Sequence, residues 1–167
     1  TTTDANGTIA IGHEALNDLL TGQANTAIGF QALDVETNGD YSTAIGYQAL
    51  TDQTGVSGEV ANTAVGYRAL YKFTTGGLNT AMGREAGANL TTGTQNTFIG
   101  ASAGNQNTSQ NYNTFIGAGA GYGGDGGDGG NVAVGREALY YGDNNANNMV
   151  MGNLALYGTS GGGNNAY

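Results

Sequence analysis

Apolar and polar positions recur along this chain with a long period. A short run of the form Thr-Ala-Ile ends at a glycine, and an Ala-Leu pair follows. A polar stretch rich in Gly, Asn, Thr and Asp then leads to the next copy. Thus Asn25-Thr26-Ala27-Ile28-Gly29-Phe30-Gln31-Ala32-Leu33 returns as Ser42-Thr43-Ala44-Ile45-Gly46-Tyr47-Gln48-Ala49-Leu50, and again as Asn62-Thr63-Ala64-Val65-Gly66-Tyr67-Arg68-Ala69-Leu70. The anchoring glycines are Gly12, Gly29, Gly46, Gly66, Gly83, Gly100, Gly117, Gly135 and Gly152, spaced by 17, 17, 20, 17, 17, 17, 18 and 17 residues. The residue before each is aliphatic or Met, and the third residue after each is always alanine. Helical-hairpin repeats need about 33 residues per unit, so these units predict short strands joined by tight turns, with glycine at positive-φ corners. The expected fold is all-β: a parallel β-solenoid or β-roll of about nine 17-residue coils, a single repeat domain over 1–167. At a coil spacing of ~4.8 Å the rod would be roughly 43 Å long.

Strand side chains alternate between faces. The residues three before and one before each glycine share one face, giving a Thr column (Thr26, Thr43, Thr63, Thr80, Thr97, Thr114) beside an aliphatic one. Ile9, Val132 and Met149 replace Thr in other units, which points to an inward position. The residue between them, Ala27, Ala44, Ala64, Ala81, Phe98, Phe115, Ala133 or Val150, faces the other way. Apolar residues on both faces imply a strand covered on both sides, so copies of the rod are expected to pack along their length as a homotrimer. Leucine four after the glycine becomes Gly87, Gly104 and Gly121 in three units, two of which carry Phe98 or Phe115, which reads as a volume trade.

Composition narrows the class. Glycine makes up 32 of 167 residues, and proline, cysteine and tryptophan are absent. The regular columns reject low-complexity disorder, and the missing proline suits strands that must keep their ladders. Lacking cysteine, the chain has neither disulfides nor thiolate metal sites. Net charge is −9, with Arg68, Lys72, Arg84 and Arg136 as the only strong bases. That balance opposes nucleic acid and anionic membrane surfaces, and no apolar run is long enough to insert in a membrane. Thr1 is not a start methionine, and Asn165-Ala166-Tyr167 resembles the start of another unit, so the chain is expected to be a segment of a longer fibre.

Catalytic chemistry finds little footing. His13, the only histidine, occupies an ordinary repeat position, and Glu14, Glu85 and Glu137 form one column that reads as a solvated edge. The stretch Gly123-Gly124-Asp125-Gly126-Gly127-Asp128 matches the start of a calcium-binding nonapeptide. Asp125 and Asp128 would supply oxygen ligands for calcium, the alternative being a plain loop. Phe30, Tyr47 and Tyr67 form a column whose faces suit sugar rings, the alternative being a covered coil edge. Asn25, Asn62, Asn79, Asn96, Asn113, Asn131 and Asn148 predict a structural ladder between coils. Gln53 to Glu59 hold an insertion, read as a binding loop or a tolerated surface addition.

The repeated Asn-Thr-Ala-Ile-Gly-Tyr-x-Ala-Leu unit resembles the head repeats of trimeric autotransporter adhesins of the YadA type, and similar repeats of phage tail fibres and bacterial surface fibres. The resemblance implies a left-handed, trimeric β-roll and a non-enzymatic role. On it, the chain is expected to be an extracellular head or shaft segment, on a virion tail or cell surface, that attaches to a surface glycan or host receptor. A self-assembling structural filament, built by end-to-end stacking into a homopolymer, is the alternative. Ice binding by a Thr array is a lesser one, disfavoured by the inward reading of Thr.

Overall fold

A computed structural model describes residues 6–54, 58–123, 129–141 and 146–158. Each apolar run becomes a three-residue strand: β1 (Ile9–Ile11), β2 (Thr26–Ile28), β4 (Thr43–Ile45), β6 (Thr63–Val65), β7 (Thr80–Met82), β8 (Thr97–Ile99), β9 (Thr114–Ile116), β10 (Val132–Val134) and β11 (Met149–Met151). These nine pair in parallel in chain order, so each coil bonds to its immediate neighbours. Two short strands, β3 (Gly39–Asp40) and β5 (Gly58–Glu59), make a second parallel sheet. The fold is therefore an all-β parallel β-solenoid of about eight turns, with no helix among the described residues.

Equivalent residues lie directly over one another. Thr26 aligns with Thr43, and Thr43 with Thr63, so the 20-residue coil leaves the main sheet in register. Its three extra residues are absorbed elsewhere. Gly29 to Gly39 is 10 positions and Gly46 to Gly58 is 12, while Gly39 to Thr43 is 4 and Gly58 to Thr63 is 5. Two additions thus precede Gly58 and one follows it. The second leaves a bulge in which the N–H groups of Val60 and Ala61 both donate to the Asp40 carbonyl.

Four backbone positions per coil are left-handed, and they differ in what they tolerate. The residues five before, two after and four after the anchoring glycine lie near φ +50 to +73, and side chains as large as Tyr41, Gln31 and Leu33 occupy them. Their N–H groups find carbonyls in adjacent coils: Gln31 donates to His13 at 2.9 Å and Leu33 to Ala49 at 3.0 Å. The anchoring glycine is different. Its φ is near +133 to +139, and a Cβ built on Gly46 would lie 2.4 Å from the Gly66 carbonyl oxygen. Only glycine lets successive coils close to sheet spacing at that corner.

The core is a thin column between strand and corner. Ala27, Ala44, Ala64, Ala81, Phe98 and Ala133 are fully buried, facing Leu33, Leu50 and Leu70 and the invariant corner alanines. Each buried leucine contributes roughly 1.5–3 kcal/mol. The volume trade runs across two coils. A Cβ at Gly87 or at Gly104 would each lie 2.7 Å from the Phe98 ring, so one phenylalanine fills the space of two missing leucines. Phe115 likewise occupies the space beside Gly121 and stacks on Phe98 at 5.5 Å. A third inner column, seven after the glycine, holds Leu19, Glu36, Gln53, Phe73, Leu90 and Asn107, all buried.

The Thr column corrects the inward expectation. Thr26, Thr43, Thr63, Thr80, Thr97 and Thr114 are half-buried on the outer face while the residue between Thr and Ile faces the core. The alternation of side chains is as expected, but the narrow interior admits only the middle residue of each strand. Ile9, Val132 and Met149 are therefore apolar residues on an outward face.

The glycine corner generates a direct test. Gly46→Ala is expected to cost at least about 3 kcal/mol, because a coil boundary must open. Gly152→Ala, whose Cβ would meet nothing closer than Ala155 at 3.5 Å, should cost only about 1–2 kcal/mol of backbone strain. Urea midpoints of the two variants check the difference; equal losses would refute the clash.

Candidate functional site

Among the described residues there is no enclosed pocket and no group of three or more metal-ligating side chains. What the chain offers is surface organised into ladders. The broadest is the outer strand face, where Ile11, Ile28, Ile45, Val65, Met82, Ile99, Ile116, Val134 and Met151 run in one column beside the threonines. Ile45, Ile99 and Ile116 are 36–37% exposed, and Ile11 and Met151 about 60%. No charged residue stands in either column.

Past the glycine corner, Phe30, Tyr47 and Tyr67 are exposed and form one stack, with His13 as a fourth member. Ring centroids are 5.4, 5.1 and 5.5 Å apart and the planes nearly parallel. Their faces therefore cover one another, and solvent meets the ring edges. Alongside runs an amide ladder that composition alone did not suggest. Arg68 Nε donates to Gln48 Oε1 at 2.9 Å, Gln48 Nε2 to Gln31 Oε1 at 2.8 Å, and Gln31 Nε2 to Glu14 Oε2 at 2.8 Å. Arg68 also lies over the rings of Tyr67 and Tyr71. The hint in the sequence was the recurrence of Glu, Gln, Gln and Arg two after the glycine. A second stack, Tyr122–Tyr140–Tyr157, lies at a different corner, with Tyr141 edge-on to Tyr140 and Tyr157. Burial there pushes the Tyr140 phenol up from its ordinary value.

Inside the rod, the asparagines bond coil to coil. Asn62 Oδ1 accepts from the Asn79 backbone N–H at 3.0 Å and from Asn79 Nδ2 at 3.1 Å. Asn79 Oδ1 serves Asn96 in the same way, and Asn131 serves Asn148. Asn96 Oδ1 accepts from the Asn113 N–H, Asn113 Oδ1 from the Asn131 N–H, and Asn25 Oδ1 from the Ser42 N–H. The Nδ2 groups of Asn25, Asn79 and Asn96 cap carbonyls fourteen residues on, at Gly39, Gly93 and Gln110. Asn113 Nδ2 has no partner among the described residues, its counterpart position 127 lying outside them. Asp125 and Asp128, the calcium candidates, also lie outside the described residues.

The inner column that the repeat did not reveal carries a buried carboxylate. Glu36 is fully enclosed. Its Oε1 accepts from the N–H groups of Gly39 at 2.7 Å and Asn38 at 3.0 Å, and its Oε2 from Gln53 Nε2 at 2.6 Å. Gln53 also reaches Ser42 Oγ, and Asn62 Nδ2 donates to Gln53 Oε1. The network ties together both flanks of the lengthened coil, and charge-assisted bonds of this kind compensate the desolvation of the carboxylate. On the outer edge, Asp34 and Asp52 carry carboxyl pKa values raised above the ordinary 3.8, in both cases first by burial. At Asp34 the negative charges of Glu14 and Asp18 raise it further.

These features define a class: a parallel β-solenoid whose side chains are displayed in columns along its faces. Comparison of the chain with protein-family models, with curated proteins and with solved structures finds no match.

Two expectations follow. Glu36→Gln should lower stability by about 1–3 kcal/mol, because its amide nitrogen must face either two backbone N–H groups or Gln53 Nε2. Urea unfolding reads the loss, and a neutral result would show that the carboxylate is not needed. The edge carboxyls set a pH trend of the opposite kind to ordinary acid denaturation. Their folded pKa values lie above the unfolded ones, so their stabilising contribution is complete below pH 3.8 and is lost as pH rises through the folded values. Asp34→Asn should therefore raise the melting temperature at neutral pH and flatten its dependence on pH, as calorimetry across that range would show.

Proposed function

We propose that this chain is a non-enzymatic structural and adhesive segment of an extracellular trimeric fibre. The observation that supports this reading is the outer strand face. It is uncharged, aliphatic along every rank of the main sheet, and left open by a single rod whose other strand face is closed. Contiguous exposed apolar surface of this kind marks an interaction site. A face of equivalent ranks can pack against rotated copies of itself in a closed ring. Three parallel rods turned inward would cover it and leave the corners outside. The resemblance to trimeric adhesin and tail-fibre repeats favours the same arrangement.

On the outside of such a fibre, the edges of Phe30, Tyr47 and Tyr67 and the adjoining amide ladder repeat along the axis. They would give weak, multivalent contacts to a surface glycan. The acidic balance of the chain favours a neutral glycan over an anionic one. The outward Thr column supports a second reading, ice binding by the same face of a monomeric rod.

Sedimentation and electron microscopy separate these. Short trimeric rods are expected, and Ile45→Glu is expected to yield a folded monomer with an unchanged circular dichroism spectrum. A stable wild-type monomer that shows thermal hysteresis would replace the fibre reading with ice binding. Indefinite filaments would favour a structural polymer, and a glycan array without binding would remove the adhesive half.

A further inference from the structure

Methionine is usually a filler of irregular core space, yet the buried core of the described rod contains none. All three methionines of the chain, Met82, Met149 and Met151, stand on the outer strand face. They are 43%, 51% and 61% exposed. Met82 lies between Val65 and Ile99 in the aliphatic column. Met149 pairs in register with Val132, and Met151 with Val134. The oxidisable sulfurs are thus confined to the face that the fibre reading assigns to contact between copies.

We propose that these three residues are a methionine-oxidation site that controls lateral assembly of the rod, an inference that rests on the fibre reading. The oxidant is a two-electron oxygen donor of the peroxide class. A sulfur lone pair attacks one peroxide oxygen, the S–O bond forms and the O–O bond breaks. The displaced hydroxide takes the remaining proton and leaves as water. Sulfur loses two electrons, peroxide gains them, and the product is the sulfoxide. On the unassembled rod the sulfurs are open and react. In the assembled fibre they are covered and protected. A sulfoxide oxygen is a strong hydrogen-bond acceptor; Val132 and Val134, in register with Met149 and Met151, offer it no side-chain donor, whereas Met82 shares its face with the hydroxyls of the Thr column. Each sulfoxide buried without a donor weakens association about tenfold. Enzymatic reduction of the sulfoxides reverses the change.

The test uses the full chain and hydrogen peroxide, with oxygen uptake read by mass spectrometry and size by sedimentation. The folded monomer Ile45→Glu should take up three oxygens much faster than the assembled wild type. Wild-type chain oxidised in urea and then refolded without oxidant should remain monomeric. The triple variant Met82→Leu, Met149→Leu, Met151→Leu, carried through the same treatment, should assemble normally. Full sulfoxide formation with undiminished assembly would overturn the proposal, as would equal oxidation rates in monomer and assembly. Loss of assembly in the triple leucine variant after oxidation would place the effect on other residues and overturn it too. The fibre reading fails separately, if untreated wild type sediments as a monomer, and the inference then falls with it.

Discussion

The structure depends on how closely one coil can approach the next at a single corner. At the anchoring glycines from Gly12 to Gly135, the neighbouring coil's carbonyl oxygen occupies the place a side chain would need, 2.3–2.5 Å from a built Cβ. That contact lets the strands on one side of the corner close to ladder distance. Once they do, every other position is forced into a column above its own equivalents. The Asn ladder, the amide ladder and the aromatic stacks are consequences of this registration: like residues at sheet spacing either bond to one another or stack. Where a column breaks this regularity, a neighbour compensates, as Phe98 does for Gly87 and Gly104.

Much of the fold was legible because the repeat encodes positions with a single physical solution. Glycine at the corner, alanine three residues on and asparagine four residues before admit few substitutes, so they recur and can be counted. The parallel strands followed from the unit length. Other features were hidden because several residue types satisfy the same requirement. The inner column of Leu19, Glu36, Gln53, Phe73, Leu90 and Asn107 has no chemical signature, since it needs only to fill space or to satisfy its own polar atoms. The left-handed corners at Gln31 and Leu33 were equally hidden. A φ near +50 tolerates a side chain once the amide has a partner in the next coil.

The orientation of threonine shows where periodicity stops. Alternation fixes which strand residues share a face, and it fixed them correctly here. It does not say which face is the interior, because both carry apolar residues. The width of the coil settles that: the interior accepts an alanine or one shared phenylalanine, and the wider Thr and Ile pair is left outside. The surface candidates were affected in the same way. Phe30, Tyr47 and Tyr67 could be placed in one column from the sequence, but only the coil spacing shows that their ring faces are taken up by each other.

The lengthened coil has a consequence beyond its own geometry. Its additional residues lie outside the main-sheet strands, and the main sheet continues through Thr43, Thr63 and Thr80 without a shift. The 18-residue unit behaves similarly, with Thr114 still opposite Val132. Unit length is thus uncoupled from the register of the main sheet. Evolution, or a protein engineer, can therefore vary the length of a unit coil by coil, while the main sheet keeps an unchanged ruler of fixed pitch along the rod.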